Sequence, residues 1–167
     1  MSEFRVRAAR SADVRGIRDL LEPYVQRRIL LGKDLVVLYE AVQQFVVAED
    51  EAGTLIGCGA LHVIWEDLGE VRTLIVADEW LRHGVGRGIV GALEQNARTL
   101  GLSRLFCLTF EVEFFEAHGF HVIEGTPVTP EVYLELLRSH DDGVAEFLDL
   151  ARVKPNTLGN TRMLIEL

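Results

Sequence analysis

The chain has 167 residues, of which 49% are hydrophobic, and this size and composition predict a single domain over residues 1–167 with a substantial buried core. The net charge of −9 argues against nucleic acid or an anionic membrane surface as the main partner. Because no apolar run approaches the length of a membrane span and the first residues resemble no export signal, a cytoplasmic protein without a membrane partner is expected.

Hydrophobic periodicity and turn residues predict strands and helices in the order β-α-α-β-β-β-α-β-α-β. Strands are predicted at 4–8, 45–49, 54–64, 70–76, 105–110 and 120–123, with extended segments at 144–150 and 163–167. Helices are predicted at about 13–25, 34–42, 85–100, 114–118 and 130–137. The segment 154–160 is rich in turn residues, and residues 126–154 have no assigned role.

The two cysteines, Cys58 and Cys107, lie in apolar, strand-like segments and lack the spacing of metal ligands. The five histidines show no such spacing either. Buried thiols are therefore expected, and no metal is predicted in the site.

A glycine-rich turn between a predicted strand and a predicted helix carries the strongest functional signal. Glycines at 84, 86 and 88 remove Cβ atoms that would keep a phosphate away from the backbone, and the first N–H groups of the following helix lack partners within it. An anion-binding turn is therefore predicted. It is neither a Walker A loop, because Arg87-Gly88 follows Gly86, nor a dinucleotide fingerprint, because the third glycine comes too early.

This arrangement resembles the coenzyme A pyrophosphate loop of the GNAT acetyltransferases, although Leu81 stands where that family has Gln or Arg. The segment 114–120 is similar to the GNAT segment that lies under the coenzyme, with Phe115 where many members have a tyrosine that protonates the thiolate. The resemblance implies an α/β (α+β) GNAT fold. Its central mixed, mostly antiparallel sheet would have about six or seven strands, flanked by helices on both faces.

A narrower resemblance, to short stand-alone actinobacterial N-acetylglutamate synthases, is carried by residues 69–76, 104–109 and 160–164. It implies direct transfer of the acetyl group of acetyl-CoA to the α-amine of L-glutamate, the first step of arginine biosynthesis, by a homodimer. Glu70 matches the general base, which acts through water in relatives, and Thr109 matches a residue proposed to protonate the sulfur. These roles suit acetyl transfer, which needs a neutral amine and a proton for the sulfur.

The resemblance and the turn together imply two sets of contacts. Those with the coenzyme are expected at Leu74, Ile75, Val76, Arg82, His83, Gly84, Val85, Gly86, Arg87 and Phe115. Those with the acceptor are expected at Lys33, Arg72, Asn160, Thr161 and Arg162. Because an acidic protein repels an anionic substrate, at least two of Lys33, Arg72, Lys154 and Arg162 should converge. The group often has arginine where Gly159 stands, and Arg162 or Arg72 can replace it.

Several alternatives stay open. The acceptor is L-glutamate or L-glutamine, since the loss of one cation near the side-chain pocket favours an amide. A non-catalytic domain that senses acyl-CoA, and an acetylase of a protein N-terminus or an antibiotic amine, are further hypotheses. Without the resemblance, Glu70 is as compatible with a solvent-facing position on a strand as with a general base. Thr109 is then more typical of a β-branched residue in a buried strand than of a proton donor.

Overall fold

The structure, a computed structural model, describes residues 3–29 and 32–167. The strands within these ranges are β1 (Phe4–Ala8), β2 (Phe45–Asp50), β3 (Leu55–Trp65), β4 (Leu68–Val76), β5 (Arg104–Thr109), β6 (His121–Val122) and β7 (Thr161–Glu166). The helices are α1 (Val14–Gln26), α2 (Leu35–Glu40), α3 (Val85–Leu100), α4 (Val112–Ala117), α5 (Pro130–Leu136), α6 (Asp142–Phe147) and α7 (Lys154–Thr157).

The strands form a seven-stranded sheet in the order β1-β2-β3-β4-β5-β7-β6. All neighbours pair antiparallel except β4 and β5, which run parallel. That parallel pairing extends only from Leu68 opposite Arg104 to Glu70 opposite Phe106. Beyond this point β4 continues against β3 and β5 continues against β7, so a gap opens between the two central strands.

A β-bulge interrupts β4 beside this gap. Ala60 of β3 faces Arg72 and Cys58 faces Ile75, so that two residues of β4 oppose the single residue Gly59. Thr73, one of the two, has a φ of 55°, which is unusual for a β-branched residue. The bulge therefore bends β4 away from regular pairing along the gap, where a ligand can approach backbone groups.

Helices pack on both faces of the sheet. Alternate residues of one strand point to opposite faces, and Leu105 and Cys107 of β5 pack in the cluster that contains α3. Phe106 of β5 instead packs with α5 and α6, and Cys58 of β3 packs with α1 and α2. The sheet is thus a central layer with α3 on one face and α1, α2, α5 and α6 on the other. This architecture confirms the predicted fold class.

The segment 144–150 corrects one sequence-based prediction. It was expected to be extended, but most of it lies in α6, where Val144, Phe147 and Leu148 are buried at helical spacing. Asp141 caps this helix by accepting a hydrogen bond from the N–H of Val144 at 2.9 Å. Similarly, the turn-rich segment 154–160 contains the short helix α7. Among the described residues, no helix is both long and apolar enough to cross a bilayer.

Candidate active site

The glycine-rich turn leads into α3 with two residues in the left-handed backbone region. Arg82 has a φ of 64° and Gly84 a φ of 84°. The turn is braced by His83, whose Nδ1 lies 2.8 Å from the carbonyl oxygen of Leu81 and whose ring packs edge-on against Trp80. Because Gly84 precedes the first residue of α3 and has no Cβ, the backbone N–H groups at this helix end stay accessible.

The first turn of α3 provides the donors of an anion site. The N–H of Gly88 bonds to the carbonyl of Gly84 at 3.0 Å, so the N–H groups of the three preceding residues have no acceptor within the helix. Arg82 and Arg87 are exposed beside them and supply positive charge. A diphosphate therefore fits this turn through backbone N–H groups, the positive end of the helix and two guanidinium groups.

Glu70 lies on β4 where the pairing with β5 ends, and it faces the α1 and α6 side of the sheet. Only 4% of the surface of Glu70 is exposed to solvent. Burial raises its pKa from 4.5 to about 7, although the positive charge of Arg72 opposes the shift. Such a carboxyl group exchanges a proton near neutral pH, which suits a general base.

Arg72 lies two residues along β4, on the same face as Glu70, with 11% of its side chain exposed. Its Nε is 3.2 Å from Oε2 of Glu70, and its Nη2 is 2.8 Å from Oδ1 of Asp141. Within the described part of the chain, Oε2 of Glu70 and both Nε and Nη2 of Arg72 lack a partner in hydrogen-bond geometry. Buried polar atoms of this kind indicate a place where a ligand or ordered water completes the bonding.

Other ionisable side chains surround this pair. Burial and then the charge of Arg72 lower the pKa of Lys33, which also interacts with Glu70 and Asp141. Burial raises the pKa of Glu146. His62, opposite Glu70 on β3, has its pKa lowered to about 4 by burial and by Arg72, so it is neutral at pH 7. Of the four predicted cations, Lys33 and Arg72 therefore converge.

The remaining two cations are engaged elsewhere. Arg162 donates from Nε to the carbonyl of Gly125 at 2.9 Å, and its Nη atoms donate to the carbonyls of Glu146 and Phe147. Its guanidinium also lies 4.8 Å from the centre of the Phe106 ring. Lys154 pairs with Asp149 at 2.6 Å on the surface. These bonds give Arg162 a structural role, while its expected contact with the acceptor stays a prediction.

Thr109 is buried at the end of β5, across the gap from β4, and it pairs with Thr161 of β7. Its Oγ1 accepts a hydrogen bond from the N–H of Glu111 at 2.8 Å. The hydroxyl still carries its own proton, which it can donate into the gap. Asn160 directly precedes β7, and its N–H bonds to the carbonyl of Thr157 at 3.1 Å.

Both cysteines are buried thiols, as predicted. Burial raises the pKa of Cys58 to about 12 and also raises that of Cys107. Neither thiol is therefore activated as a nucleophile at neutral pH. Within residues 3–29 and 32–167, no group of three or more His, Cys, Asp or Glu side chains is arranged to hold a metal ion.

The profile of the acetyltransferase (GNAT) family matches residues 15–121. The chain belongs to the GNAT acetyltransferase family. An amino-acid acetyltransferase of Mycobacterium tuberculosis is 59% identical over 164 residues, covering 97% of this chain and 94% of the relative. An amino-acid acetyltransferase of Pseudomonas putida is 37% identical over 117 residues, which are 69% of this chain and 27% of the relative.

Solved structures agree with this membership. Rv2747 from Mycobacterium tuberculosis, crystallised in complex with CoA and NLQ, is 59% identical and matches with a TM-score of 0.94 over 98% of this chain and 99% of that one. N-acetylglutamate synthase from Neisseria gonorrhoeae, 24% identical, matches with a TM-score of 0.78 over all of this chain and 36% of that one, a likeness of fold. The predicted family is confirmed, and acetyl-CoA is the co-substrate of this GNAT enzyme.

The two neighbouring phenylalanines of α4 lie differently with respect to the glycine-rich turn of this acetyltransferase. Phe115, the expected contact, is buried in the core and packs edge-on against Phe120. The neighbouring Phe114 lies over the turn instead, because a Cβ atom added to Gly86 would stand 3.1 Å from its ring. Consecutive residues of a helix point in different directions, so on α4 the ring of Phe114 faces the turn while that of Phe115 faces the core.

Three features of the acetyltransferase site escaped the sequence-based analysis. Asp141 and Gly143 contact Arg72 from α6, some 70 residues away in the chain, and the bulge at Thr73 shapes β4 beside the gap. The only local signal for the first pair is the pattern of a helix cap, Asp141 three residues before the buried Val144. No sequence pattern marks Thr73, because its conformation depends on the pairing with β3.

Proposed function

We propose that this acetyltransferase transfers the acetyl group of acetyl-CoA directly to the α-amine of L-glutamate, as the first step of arginine biosynthesis. The observation that carries the proposal is the buried pair of Glu70 and Arg72 beside the gap between β4 and β5. The pair combines a base near neutral pH with a cation for a carboxylate. The 59% identical amino-acid acetyltransferase, which aligns over nearly the whole chain, supports an amino acid as acceptor.

In this mechanism Glu70 takes the proton of the acceptor ammonium. An amine attacks a thioester only when it is neutral. Because the pKa of Glu70 is raised to about 7, half of the enzyme molecules have an ionised Glu70 at pH 7, and this carboxylate is basic enough to accept a proton. Water can connect the amine to Glu70. No acetyl-enzyme forms, since the pKa of the nearby Cys107 is raised by burial.

The two strands beside the gap hold the acetyl group and the leaving thiolate. Backbone N–H groups near Leu74, Ile75 and Val76 would stabilise the oxyanion, because the pairing of β4 with β5 ends at Glu70 and leaves this part of β4 beside the gap. Thr109 would supply the proton that the departing sulfur takes up. The turn from Arg82 to Arg87 would hold the diphosphate of the coenzyme.

Arg72 and Lys33 would bind the α-carboxylate of the acceptor. The charges of both interact with Glu70, and two buried nitrogen atoms of Arg72, Nε and Nη2, lie near Glu70 and Asp141 but outside hydrogen-bond geometry. A guanidinium matches a carboxylate with two parallel hydrogen bonds. Asn160 and Thr161 would contact the acceptor from β7, as the family resemblance implies.

L-Glutamine is the second candidate acceptor, and the charges around the pair favour it. Asp141 and Glu146 interact electrostatically with Arg72, so the pocket holds two carboxylates in addition to Glu70. A side-chain carboxylate on the acceptor meets this negative charge, whereas an amide does not. The choice between the two therefore depends on which groups line the far end of the pocket.

The test is a thiol-release assay at fixed acetyl-CoA with a panel of amino acids, and with product identification by mass spectrometry. The proposal expects N-acetylglutamate or N-acetylglutamine as the product, with the largest kcat/KM for one of these two acceptors. Turnover of neither one would remove the proposed acceptor. Rescue of an arginine auxotroph tests the metabolic assignment separately, in cells where a cytoplasmic location is also checked.

A domain that only senses acyl-CoA is the competing hypothesis from another class. It needs the coenzyme turn but not the base, so replacing Glu70 by Gln would leave its binding response intact. The proposed enzyme should instead lose most of its rate while it retains affinity for acetyl-CoA. Calorimetry with acetyl-CoA and rate assays on the same protein separate the two, and sedimentation tests the proposed homodimer.

A further inference from the structure

The guanidinium of Arg72 lies against the first turn of α6 at Gly143. A Cβ atom added to Gly143 would stand 2.4 Å from Cζ and Nη2 of Arg72, and 2.8 Å from its Nε. Real Cβ atoms do not approach other heavy atoms this closely, so any side chain at position 143 displaces the guanidinium. The backbone of Gly143 is thus one wall of the pocket in which Arg72 lies.

Asp141 forms a second wall and joins α6 to the same guanidinium. Its Oδ1 accepts the hydrogen bond from the N–H of Val144 at 2.9 Å and lies 2.8 Å from Nη2 of Arg72. One carboxylate oxygen therefore both caps the helix and holds the charged end of a strand residue. The Asp141 side chain is 38% exposed, whereas that of Arg72 is 11% exposed.

We propose that Asp141 and Gly143 are positioning residues, which hold Arg72 in the orientation that binds the acceptor's carboxylate. The inference rests on the proposed function for the nature of the acceptor. It gives the segment 126–154, for which the sequence indicates no role, a task in recognition: α6 is the part of the acceptor pocket that directs Arg72.

The reason lies in a competition between two carboxylates for one guanidinium. Glu70 approaches Nε of Arg72 at 3.2 Å, and Asp141 approaches Nη2 at 2.8 Å. Without the charge of Asp141, Arg72 is drawn to Glu70, where it neutralises the base and turns its donors away from the acceptor. Among the residues that the structure describes, the charged or titratable groups that interact with Glu70 are Lys33, Arg72, Cys107, Asp141, Glu146 and Arg162.

Two variants isolate this positioning, and each has a matched control. Asp141→Asn keeps a good helix cap but removes the charge that faces Arg72. Asp142→Asn removes the neighbouring charge, which pairs with Arg152 on the surface at 2.9 Å. Gly143→Ala adds the obstructing Cβ, whereas Gly91→Ala adds a Cβ to α3 with nothing within 4 Å. Alanine is favoured over glycine in helices, so neither glycine replacement disfavours the helix itself.

Asp141→Asn and Gly143→Ala should raise the KM for the acceptor by about tenfold or more, the loss expected when a charge-assisted contact is misplaced. The KM for acetyl-CoA should stay unchanged, because the coenzyme turn lies elsewhere. In Asp141→Asn the acidic limb of the pH–rate profile should move to lower pH, since loss of a nearby negative charge lowers the pKa of Glu70. The two control variants should behave as wild type.

A spectroscopic measurement tests the positioning of Arg72 by Asp141 without requiring catalytic turnover. The ¹⁵Nε–¹Hε resonance of Arg72 reports how firmly its guanidinium is held, and it should broaden or shift in Asp141→Asn but not in Asp142→Asn. If wild type acetylates no α-amino acid, the proposed function fails while this measurement still tests the positioning. Equal acceptor KM values and equal Arg72 resonances in Asp141→Asn and Asp142→Asn would overturn the inference.

Discussion

Nε of Arg72 lies 3.2 Å from Oε2 of Glu70, with both side chains buried and neither atom in hydrogen-bond geometry with the other. Burial of an ion pair is costly unless further hydrogen bonds satisfy its remaining polar atoms. The buried Glu70 and Arg72 pair therefore does not serve to stabilise the folded protein. An acceptor amine and carboxylate would supply the missing partners, which is why this pair is at the centre of the proposed mechanism.

Replacing Glu70 by Gln should stabilise the protein more at pH 8 than at pH 5. Folding raises the pKa of Glu70 from 4.5 to about 7, so the folded state holds this proton more tightly. The resulting stability is fully present below about pH 4.5 and is lost as the pH rises through about 7. The shift corresponds to about 3 kcal/mol at most. Urea unfolding at both pH values checks this, and an equal effect of the substitution at both would contradict it.

Gly84→Ala should weaken the binding of acetyl-CoA. The φ of Gly84 is 84°, and a non-glycine residue in this region costs about 1 kcal/mol, so the turn shifts or loses stability. No atom lies within 4 Å of the added Cβ, and the effect is therefore one of backbone conformation. Titration calorimetry with acetyl-CoA measures it, with Gly91→Ala as the control. Unchanged affinity would show that this turn does not hold the coenzyme.

Lys33→Gln should raise the KM for the acceptor by about 10- to 100-fold, the value of one charge-assisted contact. Lys33 is partly buried beside Arg72, and its ammonium interacts with Glu70 and Asp141. Lys154→Gln is the matched control, because Lys154 pairs with Asp149 at the surface. Steady-state kinetics at saturating acetyl-CoA compares the two variants, and similar KM values would remove Lys33 from the acceptor site.

Arg162→Gln should lower the free energy of unfolding by about 1.5–3 kcal/mol, because three backbone carbonyls lose the half-buried, charged donor that bonds to them. Those carbonyls belong to Gly125 in one loop and to Glu146 and Phe147 at the end of α6. Chemical denaturation provides the measurement. A variant with unchanged stability and a raised acceptor KM would instead favour the direct acceptor contact that the family resemblance implies.

The conformation of the glycine-rich turn before α3 could be predicted from the sequence because its signal is local. Gly84 and Gly86 between a strand and a helix determine backbone conformation and access within a few residues. Apolar runs likewise placed the central strands. The bulge at Thr73 could not be predicted, because it depends on which residues of β3 lie opposite.

The acceptor side of the site was only partly predictable. Glu70 and Arg72 are two apart on one strand, so their shared face follows from strand geometry. The contact of Arg72 with Asp141 joins segments 69 residues apart. The helix that follows Asp141 looked like an extended segment because its apolar residues are closely spaced. Arg162 looked like a substrate cation, since nothing local reveals that backbone carbonyls take its donors.

The pH dependence of kcat/KM for the amino-acid acceptor, measured for wild type and Glu70→Gln at fixed acetyl-CoA, tests the central claim most directly. Wild type should gain activity as the pH rises through about 7, where Glu70 loses its proton. The variant should be slower by about 10²–10⁴-fold and should lack this limb, since a glutamine cannot accept the proton. A variant with the wild-type rate and profile would contradict the account.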